Sequence, residues 1–211
     1  MSNNFGRDRG LPIDRHYIEC FLAANAHDIR GRVLEIANDV YTRKFGDGRV
    51  TRSDVLHAAP DNPKATIVAD LTHADHIPSD TFDCIIFTQT LQFIHDVRAA
   101  LNTLYRILRP AGTLLATFPG ISQIIRKDMD RWGEHWRFTT LSARWLFEDS
   151  FPTGEVTVEA RGNVLTAIAF LHGLAAEELR QEELAHRDPD YEFLITVRAM
   201  KSKHAGDGAV A

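Results

Sequence analysis

The 211-residue sequence holds only two cysteines, Cys20 in a helical pattern and Cys84 inside an apolar run. That number and placement exclude a disulfide framework and fit a reducing cytoplasm, with both thiols as packing residues. No apolar run approaches the roughly 18 residues that a membrane span requires. The polar start Ser2-Asn3-Asn4 has no apolar stretch of the signal-peptide kind, so export and membrane association are not expected. Basic blocks are also missing: 24 Lys and Arg against 29 Asp and Glu leave a formal charge of −5, which disfavours nucleic acid as a partner. An acidic ligand would need a local basic pocket. The expected partner is a small-molecule substrate; the oligomeric state stays open, with a homodimer possible.

What is present is the composition of an ordinary soluble domain, 44% hydrophobic and 25% charged, at a length that suits one domain. Ile13, Tyr17, Phe21 and Leu22 recur at helical spacing behind Asp14, read as an N-cap. Short β-forming runs follow at Arg32–Ile36, Arg49–Ser53, Thr66–Ala69, Phe82–Phe87, Thr113–Phe118, Val156–Ala160 and Tyr191–Val197. Helical segments separate them: one or two turns around Tyr41–Phe45, a helix from Val97 to Leu108, one capped by Thr140, an apolar one from Asn163 through Leu174, and a charged one before Asp188. Strands alternating with helices predict an α/β fold with a mainly parallel seven-stranded sheet and helices on both faces. Residues 1–30 are read as an N-terminal helical lid, 31–199 as the domain proper, 118–140 as an irregular cover, and 200–211 as a flexible tail.

In such a sheet, ligands bind beyond the carboxyl ends of the strands. Three acids are expected there: Glu35, Asp54 closing the second strand, and Asp70 closing the third. A carboxylate after the second strand can accept hydrogen bonds from both ribose hydroxyls, and one after the third can accept from an adenine amine. The set suits an adenosine-containing cofactor.

The order of these residues, with Ile77-Pro78-Ser79-Asp80-Thr81-Phe82-Asp83 and Leu108-Arg109-Pro110-Ala111-Gly112-Thr113-Leu114, resembles class I S-adenosylmethionine-dependent methyltransferases over Val33 to Phe118. The resemblance implies a Rossmann-like class I methyltransferase fold with S-adenosyl-L-methionine as cofactor. It also implies that Glu35, Ile36, Ala37, Asn38, Asp54, Asp70, Leu71, Gln89 and Thr90 line the cofactor pocket, with Arg15 and Tyr17 folded over its amino-acid end. Arg15 would clamp the cofactor carboxylate; the alternative is a solvated Arg15 and a core Tyr17. Glu134-His135-Trp136-Arg137-Phe138-Thr139 is similar to an "H.RFT" stretch of relatives in sugar and natural-product pathways.

The departure from the family lies after the first strand. The glycine-rich loop is replaced by Glu35-Ile36-Ala37-Asn38-Asp39-Val40-Tyr41, which contains no glycine. Ala37 is expected to narrow the floor of the pocket, Asn38 or Asp39 to supply a left-handed conformation, and the following helix to be about one turn short. His135 and His95 acting together are the candidates to take a proton from the acceptor, with His16 third. Trp132, Trp136, Arg137 and Phe138 are candidates for holding it, while Lys127, Arg126 and Arg131 suit an anionic substituent. Asp70, His73, Asp75 and His76 lie within seven residues, but adenine recognition accounts for Asp70 and the others suit a polar loop, so no metal is expected. The resulting reading is methyl transfer to an oxygen or nitrogen of a small polar metabolite, natural-product or sugar-linked. The alternatives are a methyltransferase-like binding or assembly partner without methylating activity, and a same-fold enzyme for a non-methyl reaction such as cyclisation.

Overall fold

The computed structural model describes Ser2 and residues 4–203. Seven strands, β1 (Gly31–Ile36), β2 (Val50–His57), β3 (Ile67–Val68), β4 (Phe82–Thr88), β5 (Leu108–Pro119), β6 (Glu155–Arg161) and β7 (Leu194–Met200), form one sheet in the order β3-β2-β1-β4-β5-β7-β6. The first five strands run parallel, and β7 lies antiparallel to both β5 and β6. The helices are α1 (Ile13–Ala24), α2 (Val40–Gly46), α3 (Val97–Ile107), α4 (Arg126–Trp132), α5 (Thr140–Ser150), α6 (Val164–Leu171) and α7 (Gln181–Ala185).

Alternation along the central strands builds two cores. Ile85 and Phe87 of β4 face one side with Leu114 and Ala116 of β5, where Leu101 and Leu104 of α3 and Phe147 of α5 pack. Cys84, Ile86 and Leu115 face the other side, against Ile18 and Leu22 of α1, Tyr41 of α2 and Phe170 of α6. Both faces are thus covered, as a parallel sheet requires.

Several boundaries differ from the sequence reading. The second strand continues to His57, so Asp54 lies inside it, opposite Leu34. Buried there, Asp54 accepts from Arg32 Nε at 2.7 Å and Arg52 Nη2 at 3.1 Å, and Thr66 Oγ1 donates to it at 3.1 Å. The N-cap of α1 is Pro12 and makes no side-chain cap, so Asp14 does not cap that helix. Thr139, not Thr140, caps α5, in a reciprocal box with Ser142. The expected last strand starts three residues later than Tyr191 and runs to Met200. The tail expected from residue 200 begins anchored: Lys201 is buried and its Nζ donates to Asp80 Oδ1 at 2.7 Å and to the Leu108 carbonyl at 2.8 Å. The remainder of that expected tail, 204–211, lies outside the described residues. Cys20 is exposed rather than packed, whereas Cys84 is buried.

Burial works to raise the carboxyl pKa of Asp54, but the hydrogen bonds from Arg32 and Arg52 outweigh it and hold that pKa below the ordinary value. A depressed native pKa contributes stability that is present above the unfolded value, about 3.9, and is lost as pH falls through the native value. Asp54→Ala is therefore expected to lower unfolding free energy by about 2–3 kcal/mol at neutral pH, with the difference from wild type shrinking below about pH 4. Denaturant unfolding at pH 7 and pH 3 checks both; an equal deficit at the two pH values would assign the loss to packing.

Candidate functional site

The floor of the site begins with Glu35, at the end of β1. Its carboxylate is 2% exposed and accepts from the Tyr41 N–H at 3.1 Å, the Thr42 N–H at 2.8 Å and the Thr42 hydroxyl at 2.8 Å. Burial pushes this carboxyl up, partly offset by those hydrogen bonds. Glu35 is thus committed to the first turn of α2 and is not free for a cofactor, contrary to the sequence expectation.

Between Glu35 and α2 the chain makes the bend that glycine would normally make. Ala37 takes φ +66°, the Asn38 N–H donates to the Ile36 carbonyl at 2.9 Å, and the Ala37 N–H reaches the Leu56 carbonyl at 2.9 Å. This three-residue turn about a left-handed non-glycine residue is a strained form. Asp39 keeps φ −117° and Asn38 spends its side chain on the Val40 N–H, so the left-handed residue is Ala37 and neither of the two expected ones. The helix that follows has 7 residues, short as expected.

Beside this floor, β4 is followed by Gln89, also left-handed at φ +50°, and the turn Leu91–Phe93. The carboxyl ends of β4 and β5 and the amino end of β7 there open into a cavity of about 380 Å³. Gln89, Gln92 and Phe93 form one wall. The N-terminal segment supplies Phe5, Arg7, Asp14 and Arg15, the cover supplies Ser122, Ile125, Lys127, Asp128 and Glu134, and Phe170 of α6 and Phe193 close the end. Arg15 Nη1 donates to the Tyr41 hydroxyl at 3.0 Å and so clips α1 to the floor.

The roof consists of two pieces. The N-terminal segment is fastened on the α6 side: the Leu11 N–H donates to the Glu177 carboxylate at 3.0 Å, the Ala176 N–H to the Leu11 carbonyl at 2.8 Å, and Arg9 pairs with Glu178. The cover is fastened to the turn after β4, with the His135 N–H on the Gln92 carbonyl at 2.8 Å and Trp136 Nε1 on the Ile94 carbonyl at 2.9 Å. Inside it, Glu134 is satisfied by Arg137 at 2.6 Å and by the Ile125 N–H at 2.9 Å.

Of the residues singled out in the sequence, Arg15 and Gln89 line the cavity. His95 and His135 do meet, with ring centroids 5.2 Å apart, but both are exposed and neither borders the cavity. Tyr17 is a core residue whose hydroxyl donates to the Leu184 carbonyl at 2.8 Å. Phe138 packs in the core at 4.7 Å from Phe118, and Arg137 is spent on Glu134. Trp136 is 39% exposed on the outer face. Trp132 packs edge-on to His57 at 5.7 Å, beneath Arg131, which pairs with Asp61. Lys127 borders the cavity, whereas Arg126 and Arg131 do not. Leu71 is buried in the core, Asp70 is exposed beyond β3, where the Thr72 N–H donates to its side chain at 2.9 Å, and Thr90 bonds the Thr88 carbonyl. Among the described residues no group of three or more His, Cys, Asp or Glu is placed to hold a metal ion, and no helix is long and apolar enough to cross a membrane.

An adenosyl amino acid fits this edge at its two ends. Arg15 offers a guanidinium for a carboxylate, and Asp70 offers an open carboxylate for an exocyclic amine. Between them, where an acid was expected for the ribose, the residue at the end of β2 is His57, whose Nδ1 faces the Ala59 carbonyl at 2.9 Å. Its other ring nitrogen can exchange hydrogen bonds with a hydroxyl. Sequence reasoning missed His57, Asp14 and Glu134 as site residues, while Gln92 lies in the segment after the fourth strand that the resemblance places along the pocket. Extending β2 until it drew level with Ala37 would have found His57; Asp14 and Glu134 sit in segments whose placement only the tertiary fold reveals.

Replacing Ala37 by glycine removes the left-handed penalty of about 1–2 kcal/mol at a chain-entropy cost of about 0.5–1 kcal/mol. Ala37→Gly is expected to raise the thermal midpoint by one to a few degrees, in line with a gain of about 0.5–1 kcal/mol. A lowered midpoint in scanning calorimetry would show that the Ala37 side chain contributes packing that outweighs its strain.

Comparison with known proteins follows the same lines. Residues 28–116 match the family model described as Methyltransferase domain. A search of curated proteins gives no match. Among solved structures, a methyltransferase in complex with the Haloferax volcanii Trm112 methyltransferase activator superposes with TM-score 0.58 at 14% identity, over 92% of this chain and 95% of that one. An S-adenosylmethionine-dependent methyltransferase from Mesorhizobium loti gives 0.57 at 16%, over 90% and 98%. The cyclase SpnF gives 0.60 at 14%, over 95% and 85%. At these identities the superpositions establish fold. Residues 28–116 are thus similar to the methyltransferase domain family, and the chain as a whole has the fold of solved S-adenosylmethionine-dependent methyltransferases.

Proposed function

We propose that this chain transfers a methyl group from S-adenosylmethionine to an oxygen or nitrogen of a small polar metabolite. The observation that carries the reading is the roofed cavity at the ends of β4 and β5, with Arg15 and Gln89 on its border and the floor turn at Ala37 beside it. Methyl transfer from a sulfonium is an in-line displacement that needs an aligned acceptor and little water, and a partly roofed cavity next to the floor favours both. The residues of this chain bind and orient; the cofactor supplies the reactive methyl.

A second reading is an assembly role. Val164, Leu165, Ile168 and Leu171 on the outer face of α6 are 38%, 41%, 50% and 46% exposed, an apolar stripe of the kind that partners cover. One structural neighbour is a methyltransferase bound to an activator protein. Another is a cyclase, which keeps a non-methyl reaction on the same fold in view.

Calorimetry with S-adenosylhomocysteine separates the readings. Wild type is expected to bind one equivalent, and Arg15→Ala to weaken that affinity about tenfold through loss of a charge-assisted contact. No binding by wild type would hand the case to the assembly role. Unchanged affinity in Arg15→Ala would remove Arg15 from the cofactor site.

A further inference from the structure

We propose that Asp14 and Gln92 are the acceptor-recognition pair of the cavity and that the group they take is a neutral hydroxyl; this rests on the methyl-transfer reading above. Gln92 is 2% exposed, yet its Oε1 has no hydrogen-bond partner, and its Nε2 reaches only Gln89 Oε1, at 3.4 Å. Asp14 Oδ1 is buried and equally unpartnered, while Oδ2 lies 4.0 Å from Arg15 Nε. Both side chains border the same cavity. Buried polar atoms are almost always paired in folded proteins, so two lone acceptors on residues that line one cavity mark it for a ligand group with hydrogens to give.

A hydroxyl and an ammonium would both donate, and charge decides between them. With Arg15 given to the cofactor carboxylate, Arg7 and Lys127 balance Asp14 and Asp128 around the cavity, and Glu134 is already neutralised by Arg137. An entering cation finds no net attraction there to offset its loss of hydration; a neutral hydroxyl loses less. Phe93, Phe170 and Phe193 offer apolar surface to the carbon skeleton of such a ligand.

The pair also accounts for the proton. No histidine borders the cavity; its acids are Asp14, Asp128 and the already paired Glu134, and of these Asp14 has the buried oxygen without a partner. As the acceptor oxygen bonds to the methyl carbon, the carbon–sulfur bond of the sulfonium donor breaks with its electron pair passing to sulfur. The hydroxyl proton goes to Asp14. Sulfonium and carboxylate both end neutral, as a thioether and a carboxylic acid.

The test uses the full chain saturated with S-adenosylhomocysteine and matched probe pairs: benzyl alcohol with benzylamine, and cyclohexane-1,2-diol with cyclohexane-1,2-diamine. Ligand-observed NMR titration is expected to show each alcohol binding at least about tenfold tighter than its amine. Asp14→Leu and Gln92→Leu should each weaken the alcohols about tenfold. Should Asp14→Leu fail to fold, as judged by its unfolding transition, Gln92→Leu decides alone. Tighter binding of the amines, alcohol affinity unchanged in the variants, or no alcohol bound would overturn the assignment. The S-adenosylhomocysteine titration keeps the two claims apart: its failure removes the methyl-transfer reading, while its success with indifferent alcohols removes only the Asp14–Gln92 pair.

Discussion

The Glu35 carboxylate, buried at the end of β1, holds the first turn of α2 in place, and the site is built outward from that interaction. Three donors converge on it, two backbone N–H groups and one hydroxyl. A helix start normally leaves such groups without intrahelical partners, and a buried acid placed among them satisfies them and complements the positive end of the helix. With α2 held this way, the chain between strand and helix has few residues in which to turn. Ala37 turns by taking a conformation that L-residues avoid. The absent glycines have thus been replaced by a constraint from outside the turn, with Asn62 Nδ2 adding a hydrogen bond to the Ala37 carbonyl at 2.7 Å.

The acids of this protein divide by what they already hold. Glu35 and Asp54 are saturated with intramolecular donors and belong to the framework. Glu134 is saturated by its own cover segment. Asp14 keeps an oxygen free inside the cavity, and Asp70 keeps its carboxylate open to solvent. A saturated carboxylate cannot recognise a ligand without first giving up a partner, so recognition falls to the acids that are not spent. That division leaves two open acids, Asp70 beyond β3 and Asp14 at the cavity.

The architecture was legible because period-two apolar runs and the punctuation between them are local properties. Phe82–Phe87 and Thr113–Phe118 are strands in any compact context, and Asn163 announces a helix start by its own chemistry. The site was legible only where position along a strand determines direction. Asp54 was misplaced because the β-forming signal of Val55-Leu56-His57 was cut short at the acid, and three residues of strand separate the middle of a sheet from its edge. His95 and His135 were correctly expected to come together, but adjacency in the fold does not make a residue face inward. Asp14 was read as a cap because acids at helix starts usually are; its real environment combines Arg7 and Arg15 nearby with cavity residues such as Gln89 and Gln92, more than seventy positions away.

The two roof pieces are anchored to different parts of the molecule, the N-terminal segment to the stretch after α6 and the cover to the turn after β4. Among the described residues no hydrogen bond joins them across the cavity, so displacing one piece breaks none of the bonds that anchor the other.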